Sequence, residues 1–171
     1  NMTDFGDLLQ RLDTSAGLGS PTRGIAAGGR NTSGDGVNVI QYVTIASTGN
    51  ATDFGDLTLK RWDPSGCSSS TRGLIGNGND GAPSYNNLVS CDYITIASTG
   101  NAADFGDLNS GGLTGIKVAA ASSETRGTFM KSYSIGYVTI ASLGDSTDFG
   151  DLPGTSGESW GANSNAHGGL Q

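Results

Sequence analysis

With 29 Gly in 171 residues, 15% charged and 35% hydrophobic residues, the chain has the length of one ordinary domain, and its Gly recurs at set places instead of forming a low-complexity run. A net charge of -7 and a pI near 4.3 argue against binding a phosphate backbone, so nucleic acid is not an expected partner. No window reaches the roughly 18 to 20 apolar residues that span a bilayer, and no basic, apolar, small-residue signal pattern opens the chain, so membrane insertion is not expected either.

The chain opens with NMTDFGDL (residues 1–8), a clipped copy of a motif that returns three times in full: YVTIASTGNATDFGDL at 42–57, YITIASTGNAADFGDL at 93–108 and YVTIASLGDSTDFGDL at 137–152. Successive DFGDL motifs start at 4, 53, 104 and 148, giving periods of 49, 51 and 44 residues. Periods near fifty belong to stacked or radially arranged supersecondary units, each too small to bury its own apolar face. The chain therefore reads as starting inside a unit.

Residues 9 to 20 read as polar and turn-rich, leading into TRGIAAGG at 22–29. That piece returns as TRGLIGNG at 71–78 and TRGTFM at 125–130. Length varies between TRG and the following Tyr, so insertions concentrate in 30–37 and 79–87, and the third unit nearly lacks the loop. Variation on one connection marks one exposed face, the first candidate ligand surface.

Alternation in YVTIAS predicts a strand with both faces covered: Tyr42, Thr44 and Ala46 on one side, Val43, Ile45 and Ser47 on the other. The STGN stretch after it is a tight turn joining it to ATDFGDL as a hairpin. The segment GCSSS at 66–70 feeds TRGLIGNG in the same way, which makes about four short strands per unit and no helix. The expected organisation is one repeat domain over 1–171, with units at approximately 9–57, 58–108 and 109–152 and partial units at 1–8 and 153–171. A decayed TRG strand is expected at AHGG, 166–169.

Four antiparallel strands per fifty residues describe a propeller blade. The order GCSSS, TRGLIGNG, YITIAS, DFGDL, with Gly28 and Gly29 closing one second strand and Gly76 and Gly78 the next, resembles the kelch repeat. The chain lacks the usual Trp after the Tyr, and TRGTFMKSYS has no Gly pair. The wording TIASTGNATDFGDL and SSSTRG, over nearly the whole chain, is similar to tandem repeats in structural proteins of tailed phages, particularly those of marine cyanobacteria.

That resemblance implies an all-β, kelch-like propeller segment of three complete four-stranded blades plus parts of another. It implies a non-enzymatic virion or extracellular protein for assembly or for attachment to a host-surface glycan or protein. Three and a fraction blades are too few to close where 4 to 8 are typical. Self-association, other virion proteins or a longer chain would complete the set; the other solution is a four-bladed ring with residues 1–8 zipped against 160–171. The rival readings are a filament or shell subunit joined by strand complementation and a glycan-active enzyme on the same scaffold.

The Asp pairs of DFGD (Asp4 and Asp7, Asp53 and Asp56, Asp104 and Asp107, Asp148 and Asp151) supply too few donors for calcium. One Asp of each pair is expected to cap its turn and the other to pair with the Arg of TRG: Arg23, Arg72 or Arg126. Phe54, Phe105 and Phe149 are expected to pack between blades, with Phe5 doing the same at the open end.

Cys67 and Cys91, the only cysteines, occupy non-equivalent places in one unit and are expected as buried free thiols. Trp62 and Trp160 are candidate sugar platforms or packing residues, and the lone His167 reads as a surface or turn residue. No GxGxxG opening a helix, P-loop or HExxH occurs, so no catalytic, cofactor-binding or metal residue is expected. Sequons stand at Asn1, Asn31 and Asn50.

Overall fold

Twelve strands and a single 3-10 turn (Ser110–Gly112) make up the regular structure of residues 1–153, the part that the computed structural model describes. The strands fall into three four-stranded antiparallel sheets, each in simple sequential order. The first holds β1 (Ala16–Gly19), β2 (Arg23–Ala27), β3 (Val37–Thr44) and β4 (Thr52–Arg61). The second holds β5 (Ser65–Ser68), β6 (Arg72–Gly76), β7 (Ser90–Thr95) and β8 (Ala103–Asp107). The third holds β9 (Ala119–Ser122), β10 (Arg126–Lys131), β11 (Ser134–Thr139) and β12 (Thr147–Asp151). The all-β, four-strand unit expected from the repeats is the observed one, with β1 packed beside β5 and β5 beside β9. No closed ring is formed among the described residues.

Two local readings are corrected. The turn-rich stretch 9–20 contains strand β1, whose AGLG sequence has too little side chain to announce itself by alternation. The YVTIAS strands end at Thr44, Thr95 and Thr139, so the IAS residues open the following turn. Their Ile amides still donate to the carbonyls of Thr22, Thr71 and Thr125 across the hairpin.

Each hairpin has a cause in its side chains. Between first and second strands the hydroxyl of Ser20, Ser69 or Ser123 accepts the amides two and three residues on, a local turn that fixes where the TRG strand starts. Between third and fourth strands the register slips at the same place in every sheet, at Ile40/Gln41, Cys91/Asp92 and Ile135/Gly136. In the first sheet Gly55 faces Ile40 and Asp53 faces Gln41, so Phe54 is left unpaired in a bulge. Gly55, Gly106 and Gly150 sit beside these bulges with φ of +142°, +140° and +134°, a conformation open to Gly at little cost.

The cores lie between sheets. Ile25, Ile40, Phe54 and Leu57 of the first sheet meet Ile75, Ile94 and Ile96 of the second. Leu74, Cys91, Phe105 and Leu108 of the second meet Phe129, Val138 and Ile140 of the third. One sheet alone has no interior, and two facing sheets make one, as the repeat period requires.

Candidate functional site

The length-variable loops come together. The loop of the first sheet closes through paired bridges of Asp13 with Arg30 and Arg30 with Gly36, and the loop of the second through Trp62 with Asn79 and Asn79 with Asn87. A β-carbon on Gly36 would lie 3.2 Å from the Trp62 amide nitrogen and 3.3 Å from the Asp80 carbonyl oxygen, so the two loops interlock backbone to backbone. Each is also braced from within. The Asn31 carboxamide oxygen accepts the amides of Ser33 and Asp35, and Asp80 accepts both the amide and the side-chain nitrogen of Asn86. The third sheet has only the two-residue turn Ser132–Tyr133 here.

Polar and aromatic groups collect on this face. The Arg30 guanidinium lies 5.0 Å from the centre of the Trp62 ring and 3.4 Å from an Asp13 carboxylate oxygen. Tyr85, exposed, meets Trp62 edge-on at 5.8 Å. A cleft of about 340 Å³ opens between Arg11, Asp13 and the turn 31–34. Trp62 is half-buried, with the Arg30 guanidinium over its ring.

The DFGD and TRG residues lie elsewhere, at the joints between sheets. The bulged Phe54 turns its carbonyl outward to accept the Gly100 amide at 2.7 Å, the Asp56 carbonyl accepts Ala102 at 2.8 Å, and the Asn101 side chain accepts the Asp56 amide at 3.0 Å. The same three bonds join Phe105 and Asp107 to Gly144, Asp145 and Ser146, and join Phe5 and Asp7 to Gly49, Asn50 and Ala51. A β-carbon on Gly55 or Gly106 would collide with the carbonyl of Gly100 or Gly144, so this clasp admits no side chain. Residues 4–8 thus contribute no strand and grip the first sheet as β4 grips the second. Asp4 and Asp148 each accept an amide two residues on, so the expected turn cap is made at these two of the four motifs.

The expected pairing of Asp with the TRG Arg is not made. Each Arg lies over the Tyr of its own sheet instead, Arg23 on Tyr42, Arg72 on Tyr93 and Arg126 on Tyr137, at 4.5, 4.7 and 4.4 Å from the ring centres. From there Arg23 and Arg72 donate to the carbonyls of Ile96 and Ile140 in the following sheet, each at 2.8 Å. A carbonyl held by the fold fixes register as a carboxylate would, and an Arg flattened on a ring loses little further freedom in reaching it. Each Tyr in turn meets a Phe edge-on, Tyr42 with Phe54, Tyr93 with Phe105 and Tyr137 with Phe149. The constant spacing of twelve residues from Tyr to Phe was the sequence signal for this stack. Phe54 and Phe105 are buried between sheets as expected, whereas Phe149 and Phe5 are exposed among the described residues.

A buried ion pair also crosses the first joint. Arg61 reaches Asp92 at 3.0 Å, both side chains being without solvent exposure, and donates to the carbonyls of Asn77 and Ser90. Asp92 further accepts the amide and hydroxyl of Thr58. Sequence reading passed over this pair because it does not repeat. Cys67 and Cys91 are free and buried; burial pushes the Cys67 thiol up to about 12 and the Cys91 thiol well above its usual range.

Among the described residues no three His, Cys, Asp or Glu side chains gather as metal ligands, and no helix is long and apolar enough to cross a membrane. Trp160, His167 and the AHGG segment lie outside the described residues, as does any zipping of 1–8 against 160–171. No protein-family model matches the sequence, and no curated protein matches it.

Proposed function

We propose that this chain is a non-enzymatic structural protein of tail or adhesion type, working in a virion or at an extracellular surface. Its sheets are the blades of a kelch-like propeller arc, and its loop face attaches to a host-surface glycan or protein. The first strands of neighbouring sheets stand next to one another, as the innermost strands of propeller blades do, and this supports the blade reading.

The interlocking of loops 30–36 and 79–87 carries the attachment reading. Two loops from different sheets are braced into one surface, which holds an Arg30–Trp62 stack, an exposed Tyr85 and a cleft of about 340 Å³. Preorganised aromatic and polar groups bind with little ordering cost, and a sugar ring finds there both an apolar platform and hydrogen-bonding side groups.

The test is a glycan and host-surface protein array with the intact chain and with a variant whose 79–87 loop is replaced by a two-residue turn like Ser132–Tyr133. Binding that is present in the first and lost in the second is the expected result. Binding left unchanged removes the loop face as the site.

A further inference from the structure

The first and third sheets present opposite halves of one joint. At the two internal joints a Phe on the leading face of one sheet and an Ile on the trailing face of the next are sealed together: Phe54 and Phe105 are 2% exposed, Ile96 and Ile140 1%. Among the described residues the equivalent positions at the ends are bare, with Phe149 53% exposed on the third sheet and Ile45 49% exposed on the first.

The remaining parts of the joint are divided in the same way. Leu18 fills a notch at Gly66 and Gly73 of the second sheet, and Cys67 fills one at Gly127 of the third. The matching notch of the first sheet, at Gly17 and Gly24 beside Val43 and Leu8, is an open apolar groove of about 250 Å³. Arg23 and Arg72 bond Ile carbonyls one sheet on, while Arg126 is exposed on its Tyr137 ring. Around Gly150 there is room for a clasp, with none of the described residues within 4 Å of an added β-carbon.

We propose that a second copy of this chain docks head to tail on these surfaces. The trailing face of its first sheet covers Phe149 with its Ile45 and offers the Ile45 carbonyl to Arg126. Its clasp at 49–51 is held in the single chain by residues 4–8, whose DFGDL is the same five-residue sequence as 148–152. In the pair β12 takes that place, so three bonds are exchanged like for like and the apolar face is sealed in addition. The joint already exists twice within the chain, and among the described residues one bare end carries its Phe, Arg and clasp strand while the other carries its Ile carbonyl and clasp turn; Ala121 stands where Leu18 and Cys67 fill the notch at the internal joints, so that part of the groove is filled less completely. Such a contact is heterologous, and its copies close into a ring or extend as a filament according to the rotation between them. The inference rests on the structural-protein reading only in treating the sheets as a stack. Ligand binding by the loop face is measured separately, on the monomeric variants below.

The experiment is light scattering or sedimentation of the chain over a wide concentration range. Mass rising above 17.2 kDa with concentration is expected. Ile45→Glu and Phe149→Glu each place a charge in the sealed joint and should weaken association by about a hundredfold or more, leaving the far-ultraviolet spectrum unchanged. Mixing the two variants should restore one heterodimer, because each keeps one intact half. Gly6→Val, which forces residues 4–8 off the Gly49 carbonyl, should promote association at lower concentration. A monomer at every concentration, association indifferent to Ile45→Glu, or no pairing in the mixture overturns the head-to-tail contact. Weaker association of Gly6→Val overturns the displacement of residues 4–8.

Discussion

Asp92 holds the Arg61 guanidinium on one side and the Thr58 amide and hydroxyl on the other, all without exposure of either charged side chain. The net worth of such a pair is small, because taking two charges out of water offsets most of their attraction. Removing one partner is different, since the other is left buried and uncompensated. Asp92→Ala should therefore cost about 3–5 kcal/mol in urea or guanidinium unfolding, while an exposed carboxylate such as Asp53→Ala should change stability by less than about 0.5 kcal/mol. The Arg61 ε-nitrogen has no partner of its own even in the intact pair, so the site has little reserve to rearrange. Equal effects at the two positions would mean that the pair is wetter than its burial implies.

At the scale of the element, the fourth strand is defined by its bulge more than by its ladder. Gly55 serves two needs at once, the positive φ that the bulge imposes and the close approach of the Gly100 backbone, whereas Gly150 has a similar positive φ and no neighbour among the described residues. Both Gly→Ala changes carry the strain of a side chain at positive φ, of order 1 kcal/mol, and only Gly55→Ala adds a collision. Gly55→Ala should accordingly destabilise the chain by about 1–3 kcal/mol more than Gly150→Ala, read as a difference in denaturation midpoints. If the two variants match, the clasp contributes nothing to folding.

The same element explains what was legible in the sequence. DFGDL and YVTIAS announced four-stranded units because fixed spacing reflects fixed pairing, and TRG located the second strand. Which partner the Arg took was hidden, because a ring face and a carbonyl one sheet away leave no charge pattern to read. β1 was hidden by its small residues, and the Arg61–Asp92 pair by occurring at one joint only. The loop face was foreseen from length variation, but its interlocking through Gly36 and Gly81 depends on backbone approach that composition does not encode.

Over the whole molecule, stability is the sum of three weak sheets and the joints between them, as in any array whose units contact only their neighbours. The joints share a common design: the three-bond clasp, the Arg reaching an Ile carbonyl, and a ladder of hydroxyls in which Ser68 exchanges bonds with the Gly19 backbone and Ser122 with the Ser68 backbone. Among the described residues the second sheet is sealed on both faces, and the first and third each have one face bare. Amide hydrogen exchange should then be slowest in β6 and β7, whose Leu74, Ile75, Cys91 and Ile94 point into both cores, and faster in β3 and β11 despite equal ladder pairing. Ile96→Ala, which opens only the first joint, should speed exchange in β2 and β3 before it affects β10 and β11, and should cost about 2–5 kcal/mol overall. Uniform protection across the three sheets would mean that they unfold as one body, and that the end faces are as well covered as the middle.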